Sequence, residues 1–301
     1  MNKQSNTYIV TYATVLVVVV AAVLSFAAIE LQPRQEANAK IEKMGAILGA
    51  IGKGATDTTA DKNRYIEQAF ETYIPEAFFV DSLGNATEAT PEEVLGALNN
   101  LPAVFAARTA MPVFVAASPA GKAAAAGKQY VVPVTGKGLW GPVWGYVALN
   151  EDCNTIDGAV FDHKSETPGL GAEIATPAFQ GQFVDKQIFD PAGDFVSISL
   201  LKGKGASAGN SHAVDAISGG TLTSNGVQKM LRVCLGDYVP FFEKVRAHDA
   251  AAESLAPATV VADSSAVETA AAADSLARAA AVADTAAQLV TTTETTEGGA
   301  K

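Results

Sequence analysis

At 301 residues, with 49% hydrophobic and 18% charged side chains and a formal net charge of −11, the chain is long enough for one large domain or two small ones around a sizeable core. Its acidity, and the lack of any basic patch interleaved with aromatics, exclude nucleic acid as a partner. The two cysteines (Cys153, Cys234) form no CxxC pair and the three histidines (His163, His212, His248) have no ligand spacing, so no metal site is predicted. A Cys153–Cys234 disulfide is compatible with an oxidising compartment but is not fixed by the sequence.

From Tyr8 to Ile29 run 22 uncharged residues, mostly Val, Ala, Leu and Ile, enough to cross a hydrocarbon core of about 30 Å as a helix. A cleavable signal peptide is the rival reading, because Lys3 gives a basic start and Ser25-Phe26-Ala27 resembles a cleavage site. Signal apolar regions run to about 7–15 residues, however, and the longer run here favours an anchor. After Pro33, Gln35–Ile51 reads as a separate amphipathic helix, with Ala39, Ile41, Met44, Ile47, Leu48 and Ile51 near one face. Residues 56–100 mix helical pattern with turn signals such as Ser82-Leu83-Gly84-Asn85, and Pro91-Glu92-Glu93 reads as the first turn of another helix. The stretch 30–110 is therefore expected to be a membrane-proximal helical region.

Strand-like runs follow at Pro112–Ala117, Gln129–Thr135, Trp140–Leu149 and Ile156–Phe161, separated by turns and by the Ala-rich Ser118–Gly127 loop. Their short connections predict antiparallel pairing, and the interspersed helices make the class α+β. Gly138-Leu139-Trp140-Gly141-Pro142-Val143-Trp144-Gly145-Tyr146 is the densest aromatic patch. Core packing and a wall for a flat conjugated ring are both open readings of it. In His163-Lys164-Ser165-Glu166-Thr167-Pro168-Gly169-Leu170-Gly171-Ala172-Glu173 the Pro-Gly pair marks a turn, and the glycines allow a loop to lie against a ligand. Asp185–Lys202 alternates around the turn Pro191-Ala192-Gly193-Asp194, predicting a hairpin that closes a pocket.

The run Asp215-Ala216-Ile217-Ser218-Gly219-Gly220-Thr221-Leu222-Thr223-Ser224-Asn225-Gly226-Val227 is a hydroxyl-dense turn opening into a helix, whose apolar face is Val227, Met230, Leu231, Cys234, Leu235 and Tyr238. Thr223, Ser224 and Asn225 are the candidate N-caps, and the helix is expected to end near Pro240. Ser, Thr and Gly are ordinary residues before a helix, but unpaired N–H groups and a nearby glycine pair also suit a phosphate. Beyond His248 the chain is Ala, Thr, Ser, Val and acid, with 8 acidic against 2 basic residues (−6 of the net charge) and no aromatic. It reads as a solvated tail in which Ser275–Leu289 has helical pattern.

Ser218-Gly219-Gly220-Thr221, with Asp215 upstream and Leu222, Thr223 and Ser224 downstream, resembles the flavinylation motif of the FMN-binding domain family shared by the C-subunit of the Na⁺-translocating NADH:quinone reductase and the G-subunit of the Rnf complex. In that family FMN is joined through its phosphate to a threonine, and the matching position is Thr221. The family more often has alanine where this chain has Gly220. The upstream loop resembles the family's His-…-Glu-Thr-Pro-Gly-Leu-Gly motif, and the aromatic patch its Gly-Leu-Trp motif. The resemblance, over roughly residues 5–245, implies Glu166, Thr167, Pro168, Gly169, Leu170, Gly171, Trp140 and Trp144 as flavin-pocket candidates, with hydrogen bonding within the loop as the other role for Glu166 and His163.

The same resemblance implies a short cytoplasmic N-terminus (1–7), one transmembrane helix (8–29), the helical region 30–110, a mixed helix/antiparallel-sheet FMN-binding domain (111–247) and an acidic tail (248–301). The soluble domain is then expected on the periplasmic side of a bacterial inner membrane. It further implies FMN held covalently by a phosphodiester, attached by a separate flavin transferase, with Asp215 aiding recognition or metal binding in that complex. The chain would relay electrons between other membrane subunits during NADH oxidation and quinone reduction coupled to sodium export. Leu222-Thr223-Ser224-Asn225-Gly226-Val227 beside the Gly-Leu-Trp patch favours the reductase's C-subunit over the ferredoxin-linked G-subunit. A membrane-tethered scaffold that has lost its flavin is the reading from another class.

Overall fold

The computed structural model describes residues 6–56, 58–117 and 127–255. Most of the Ala-rich loop, the segment Ser275–Leu289 and the tail from 256 onward lie outside the described residues. Residues 1–250 form one compact unit; of a second, 251–301, the described residues 251–255 are helical.

The chain opens with α1 (Asn6–Ala50), a single helix of 45 residues. Its most apolar window has a mean hydropathy of 2.6 and none of it is buried, so it is long and apolar enough to cross a membrane. The expected break at Pro33 does not occur: Pro33 lies inside the helix. One missing backbone bond and a ring crowding the preceding turn cost about 3 kcal/mol, which the cooperative ladder on either side outweighs. Only the last turns of α1 are buried, through Met44, Ile47, Leu48 and Ala50. There they pack on the domain core.

That core is built on one six-stranded sheet of β1 (Glu76–Val80), β2 (Ala86–Ala89), β3 (Met111–Ala117), β4 (Lys128–Lys137), β5 (Pro142–Leu149) and β6 (Ile156–His163). Its order is β2-β1-β3-β4-β5-β6 and every pairing is antiparallel. The stretch 30–110, expected to be helical, thus also supplies two strands, along with α2 (Lys62–Tyr73), α3 (Pro91–Ala97) and α4 (Leu101–Ala107). The sheet is buried on both sides. Trp144, Tyr146 and Val160 face Glu42, Lys43 and Ala46 of α1 across a small cavity of about 270 Å³. The other face carries α6 (Thr221–Leu255), numbered after the short α5 (Pro177–Gln180). Tyr130 and Phe78 set their rings edge-on to Phe241 at 5.7 and 5.5 Å. Tyr238 donates its hydroxyl to the Pro112 carbonyl at 2.8 Å.

α6 does not end near Pro240 but runs through it to Leu255. Tertiary burial overrides the proline, because Phe241 and Phe242, directly after it, are in the core, and Arg246 lies 4.5 Å over the Phe189 ring. The expected hairpin over 185–202 is also replaced. Its turn survives as an isolated Phe189–Phe195 bridge, while β7 (Ser199–Leu201) pairs in parallel with β8 (Ala213–Asp215). Cys153 and Cys234 are both buried and no disulfide joins them. Burial pushes the Cys234 thiol up to about 12, so it is packing and not chemistry.

Candidate functional site

Four segments meet where α6 begins: the β4–β5 turn with Leu139 and Trp140, the loop after β6 with Glu166 to Gly171, the turn Ser218-Gly219, and the first turn of α6. α6 starts at Thr221, so its cap falls three residues before Thr223, the first of the expected caps. The Ser224 N–H bonds to the Gly220 carbonyl at 2.8 Å, so Gly220 occupies the capping position and Thr223 and Ser224 are inside the helix. Both are buried, each with 1% exposure. Ser224 Oγ accepts from the Ile217 N–H at 3.1 Å, stapling the preceding turn.

Glu166 is the joint between the motifs. Its side chain is buried, its Oε2 accepts from Thr223 Oγ1 at 2.6 Å, and its Oε1 accepts from the Trp140 N–H at 2.8 Å. Burial pushes this carboxyl up, but hydrogen bonds from Thr223, Trp140 and Gly141, with His163 nearby, outweigh it and hold the group below its ordinary range. His163 Nδ1 accepts the Glu166 N–H at 3.2 Å, which is the loop-holding role. Gly171 is required by this junction: a Cβ there would sit 2.4 Å from Glu166 Oε2 and 2.5 Å from Thr223 Oγ1.

Beside those inward-tied polar groups, four large apolar side chains are left outside. Trp140 is 67% exposed, Leu222 60%, Leu139 46% and Leu170 43%, a concentration of bare apolar side chains that marks a binding surface. Leu170 covers the glycine pair: a Cβ on Gly219, whose φ is +75°, would lie 2.7 Å from Leu170 Cδ2. A Cβ on Gly220 would lie 2.9 Å from Ile217 Cγ2. Thr167, Pro168 and Gly169 form the exposed crest of the loop. The Thr167 carbonyl accepts from Leu170 and Ala172, and the Gly169 N–H donates to Glu173 Oε1 at 3.1 Å.

Thr221 is exposed and borders an open cleft of about 890 Å³, shared with Ser218, Gly219, Asp215, Lys202 and Lys204. The first N–H groups of α6 precede its first intrahelical bond and open at this end, where the helix dipole is positive. Asp215, in β8, accepts from the backbone of Gly205 and from both the N–H and the hydroxyl of Ser207. These bonds hold its carboxyl below the usual range. Trp144 is not part of this group: it lies on the α1 face of the sheet, because β5 alternates and Val143 takes the position beside Gly138. Lys202 and Lys204 escape a reading of the sequence; their one signal there is the alternation with glycine in Lys202-Gly203-Lys204-Gly205.

An exposed hydroxyl at a helix N-terminus, a glycine pair beside it and a bare aromatic-aliphatic surface fit a flavin mononucleotide, whose phosphate needs the first two and whose ring needs the third. Residues 138–236 match the FMN-binding domain family. The chain is 32% identical over 252 residues to the C-subunit of the Na(+)-translocating NADH-quinone reductase of Neisseria meningitidis serogroup B, covering 80% of this chain and 94% of that one. It is 33% identical over 242 residues to the same reductase's C-subunit from Vibrio anguillarum, covering 77% and 91%. Among solved structures, the C-subunit from Parabacteroides distasonis superposes with a TM-score of 0.58 at 36% identity, over 70% of this chain and 96% of that one. Shewanella oneidensis NqrC superposes with a TM-score of 0.56 at 28% identity, over 70% and 99%. With an apolar N-terminal helix carrying an α+β FMN-binding domain, and these likenesses along most of its length, the chain belongs to the family of Na(+)-translocating NADH-quinone reductase C-subunits and is an electron-transfer flavoprotein subunit of that oxidoreductase.

Proposed function

We propose that Thr221 carries FMN through a phosphodiester and that the chain relays electrons through it within a sodium-exporting NADH:quinone reductase. The observation that carries this reading is the exposed Thr221 at the first residue of α6, on an open cleft shared with Ser218 and Gly219. In the attachment step Thr221 Oγ bonds to the phosphorus of a flavin adenine dinucleotide donor. The donor's pyrophosphate bond breaks, AMP leaves, and the hydroxyl proton passes to a base of a separate flavin transferase. The chain brings no histidine to this cleft among the described residues, and its two carboxylates there, Asp215 and Glu173, accept backbone N–H bonds. It is the acceptor in that reaction and not its catalyst.

Once attached, FMN supplies one- and two-electron redox chemistry. The chain's residues do the rest. The N-terminal end of α6 offsets the phosphodiester charge, and Trp140, Leu139, Leu170 and Leu222 offer the ring an apolar surface from which water is excluded. Glu166 fixes Trp140 relative to α6 through its two hydrogen bonds. The covalent link sets the flavin's concentration at neighbouring subunits by geometry instead of by a binding equilibrium. In this reading α1 anchors the chain in a bacterial inner membrane with the domain on the periplasmic side.

The test is intact mass and in-gel flavin fluorescence of the full chain purified from membranes that contain an active transferase. A mass gain of one FMN less one water, absent in Thr221→Val, is expected. An unmodified mass under flavin-replete conditions would overturn the reading in favour of a scaffold without flavin.

A further inference from the structure

The cleft beside Thr221 is lined by two cations that no other role absorbs. Lys202 and Lys204 both face it, in a chain whose net charge is −11. The carboxylates that share the cleft, Asp215 and Glu173, form no ion pair with them among the described residues. Asp215 is taken up by the Gly205 N–H and by Ser207, and Glu173 accepts the Gly169 N–H. Lys186, the neighbouring cation, is committed to the Asn210 carbonyl at 2.6 Å. Two lysines left over at the rim of a cleft that also receives a helix N-terminus make a site for an oxyanion.

The loop that carries them is built, not merely exposed. Gly203 and Gly205 have φ of +111° and +77°, a backbone that L side chains rarely adopt. It is held in that form by the Asp215 carboxylate, which gathers the backbone at Gly205 and Ser207. Asp215 is in turn fixed by pairing with Leu201 across β7 and β8 and by its own N–H donating to Gln182 Oε1 at 2.9 Å. The aspartate of the Thr221 motif therefore bonds not to Thr221 but to the loop that presents the lysines.

We propose that Lys202 and Lys204 form the phosphate side of the Thr221 site, and that Asp215 is a positioning residue that acts through them. The inference rests on the reading of Thr221 as the flavin acceptor. The shared ligand chemistry is a phosphate oxyanion. Its two sources are the pyrophosphate of the incoming flavin donor and the phosphodiester that remains after transfer.

The experiment follows flavinylation of the detergent-solubilised full chain by intact mass, at limiting transferase with flavin adenine dinucleotide and Mg²⁺. The variants are Lys202→Gln/Lys204→Gln, Lys202→Arg/Lys204→Arg, Asp215→Asn and the triple Asp215→Asn/Lys202→Gln/Lys204→Gln. The double glutamine variant is expected to slow initial flavinylation by at least about tenfold, the worth of one or two lost charge-assisted hydrogen bonds, and the double arginine variant to restore it. Asp215→Asn is expected to slow the parent but to add nothing in the double glutamine background, since coupled residues are not additive. Modified protein carried to completion separates the sources by its ³¹P resonance. A slowed rate with an unmoved signal assigns the lysines to the pyrophosphate; a moved signal assigns them to the phosphodiester. Parent-like rates together with an unmoved ³¹P signal in the double glutamine variant would overturn the lysine site. An equal Asp215→Asn penalty in both backgrounds would overturn its positioning role and make it a direct transferase contact. A parent that takes up no flavin at all would overturn the reading of Thr221 itself, and the proposal with it.

Discussion

Removal of the Glu166 carboxylate separates the segments of the candidate site, and the cost follows from two bonds. In Glu166→Ala the Thr223 hydroxyl, 1% exposed, loses an acceptor at 2.6 Å, and the Trp140 N–H loses one at 2.8 Å. A buried group left without its partner costs about 1–3 kcal/mol; the Trp140 N–H, on an exposed residue, belongs at the low end because water reaches it. The sum is about 2–5 kcal/mol, or a fall in Tm of roughly 5–15 °C for a domain of this size. Glu166→Gln keeps one oxygen for Trp140 and offers an amide N–H to the Thr223 hydroxyl, so it should cost only about 1 kcal/mol. pH gives an independent check. The folded carboxyl titrates below its ordinary value, so its contribution is complete above the unfolded value near about 4.3 and is lost as pH falls through the lower folded value. The parent should therefore lose stability in that acidic window more steeply than Glu166→Gln does. Thermal unfolding of the full chain in detergent, followed by tryptophan fluorescence between neutral and acidic pH, reads both effects. A Glu166→Ala protein melting within about 2 °C of the parent at neutral pH would refute the argument that this residue holds the site together.

Gly171→Ala should act on the same joint from outside it, because its Cβ would come within 2.4 Å of Glu166 Oε2. Overpacking of this kind costs about 1–3 kcal/mol, and the variant should lose the acid-dependent part of the stability as well, as the same melts would show. Tyr238→Phe removes a buried hydroxyl that donates to the Pro112 carbonyl at 2.8 Å; a loss of about 1–2 kcal/mol in denaturant unfolding is expected, with flavin attachment unaltered. Thr90→Ala deletes the capping box that Thr90 and Glu93 form at the start of α3. It should cost about 1 kcal/mol, read by hydrogen exchange as faster opening confined to α3.

The strongly periodic elements are legible in the sequence. The four runs read as strands between Pro112 and Phe161 are β3 to β6, with ends moved by a few residues, because sustained alternation has one stable use against a core. The apolar face from Val227 to Tyr238 is buried as its spacing requires. Three readings fail for one shared reason. Pro33 and Pro240 read locally as stops, and 76–89 as part of a helical region. A proline's local cost is a few kcal/mol, and the packing of Phe241 and Phe242 in α6, or a continuous ladder in α1, exceeds it. The short strands β1 and β2 exist only because β3 offers them an edge to pair with.

For the site, sequence by itself determined the chemistry: a threonine hydroxyl after two glycines, a Pro-Gly-Leu-Gly loop and a Gly-Leu-Trp turn are properties of residue type and spacing. Tertiary structure decided which of these meet. It brought Trp140, in the turn before β5, to Glu166 and turned Trp144, within β5, to the far side of the sheet, since Val143 and Trp144 point oppositely along the strand and only the pairing of β5 fixes which one faces α6. It also tied Asp215 to Gly205 and Ser207, eight to ten residues upstream, and so brought Lys202 and Lys204 to Thr221. Contacts between segments separated by loops leave no periodic trace in the chain; they follow from the register of strands and the seating of α6, which are set by the burial of the whole core.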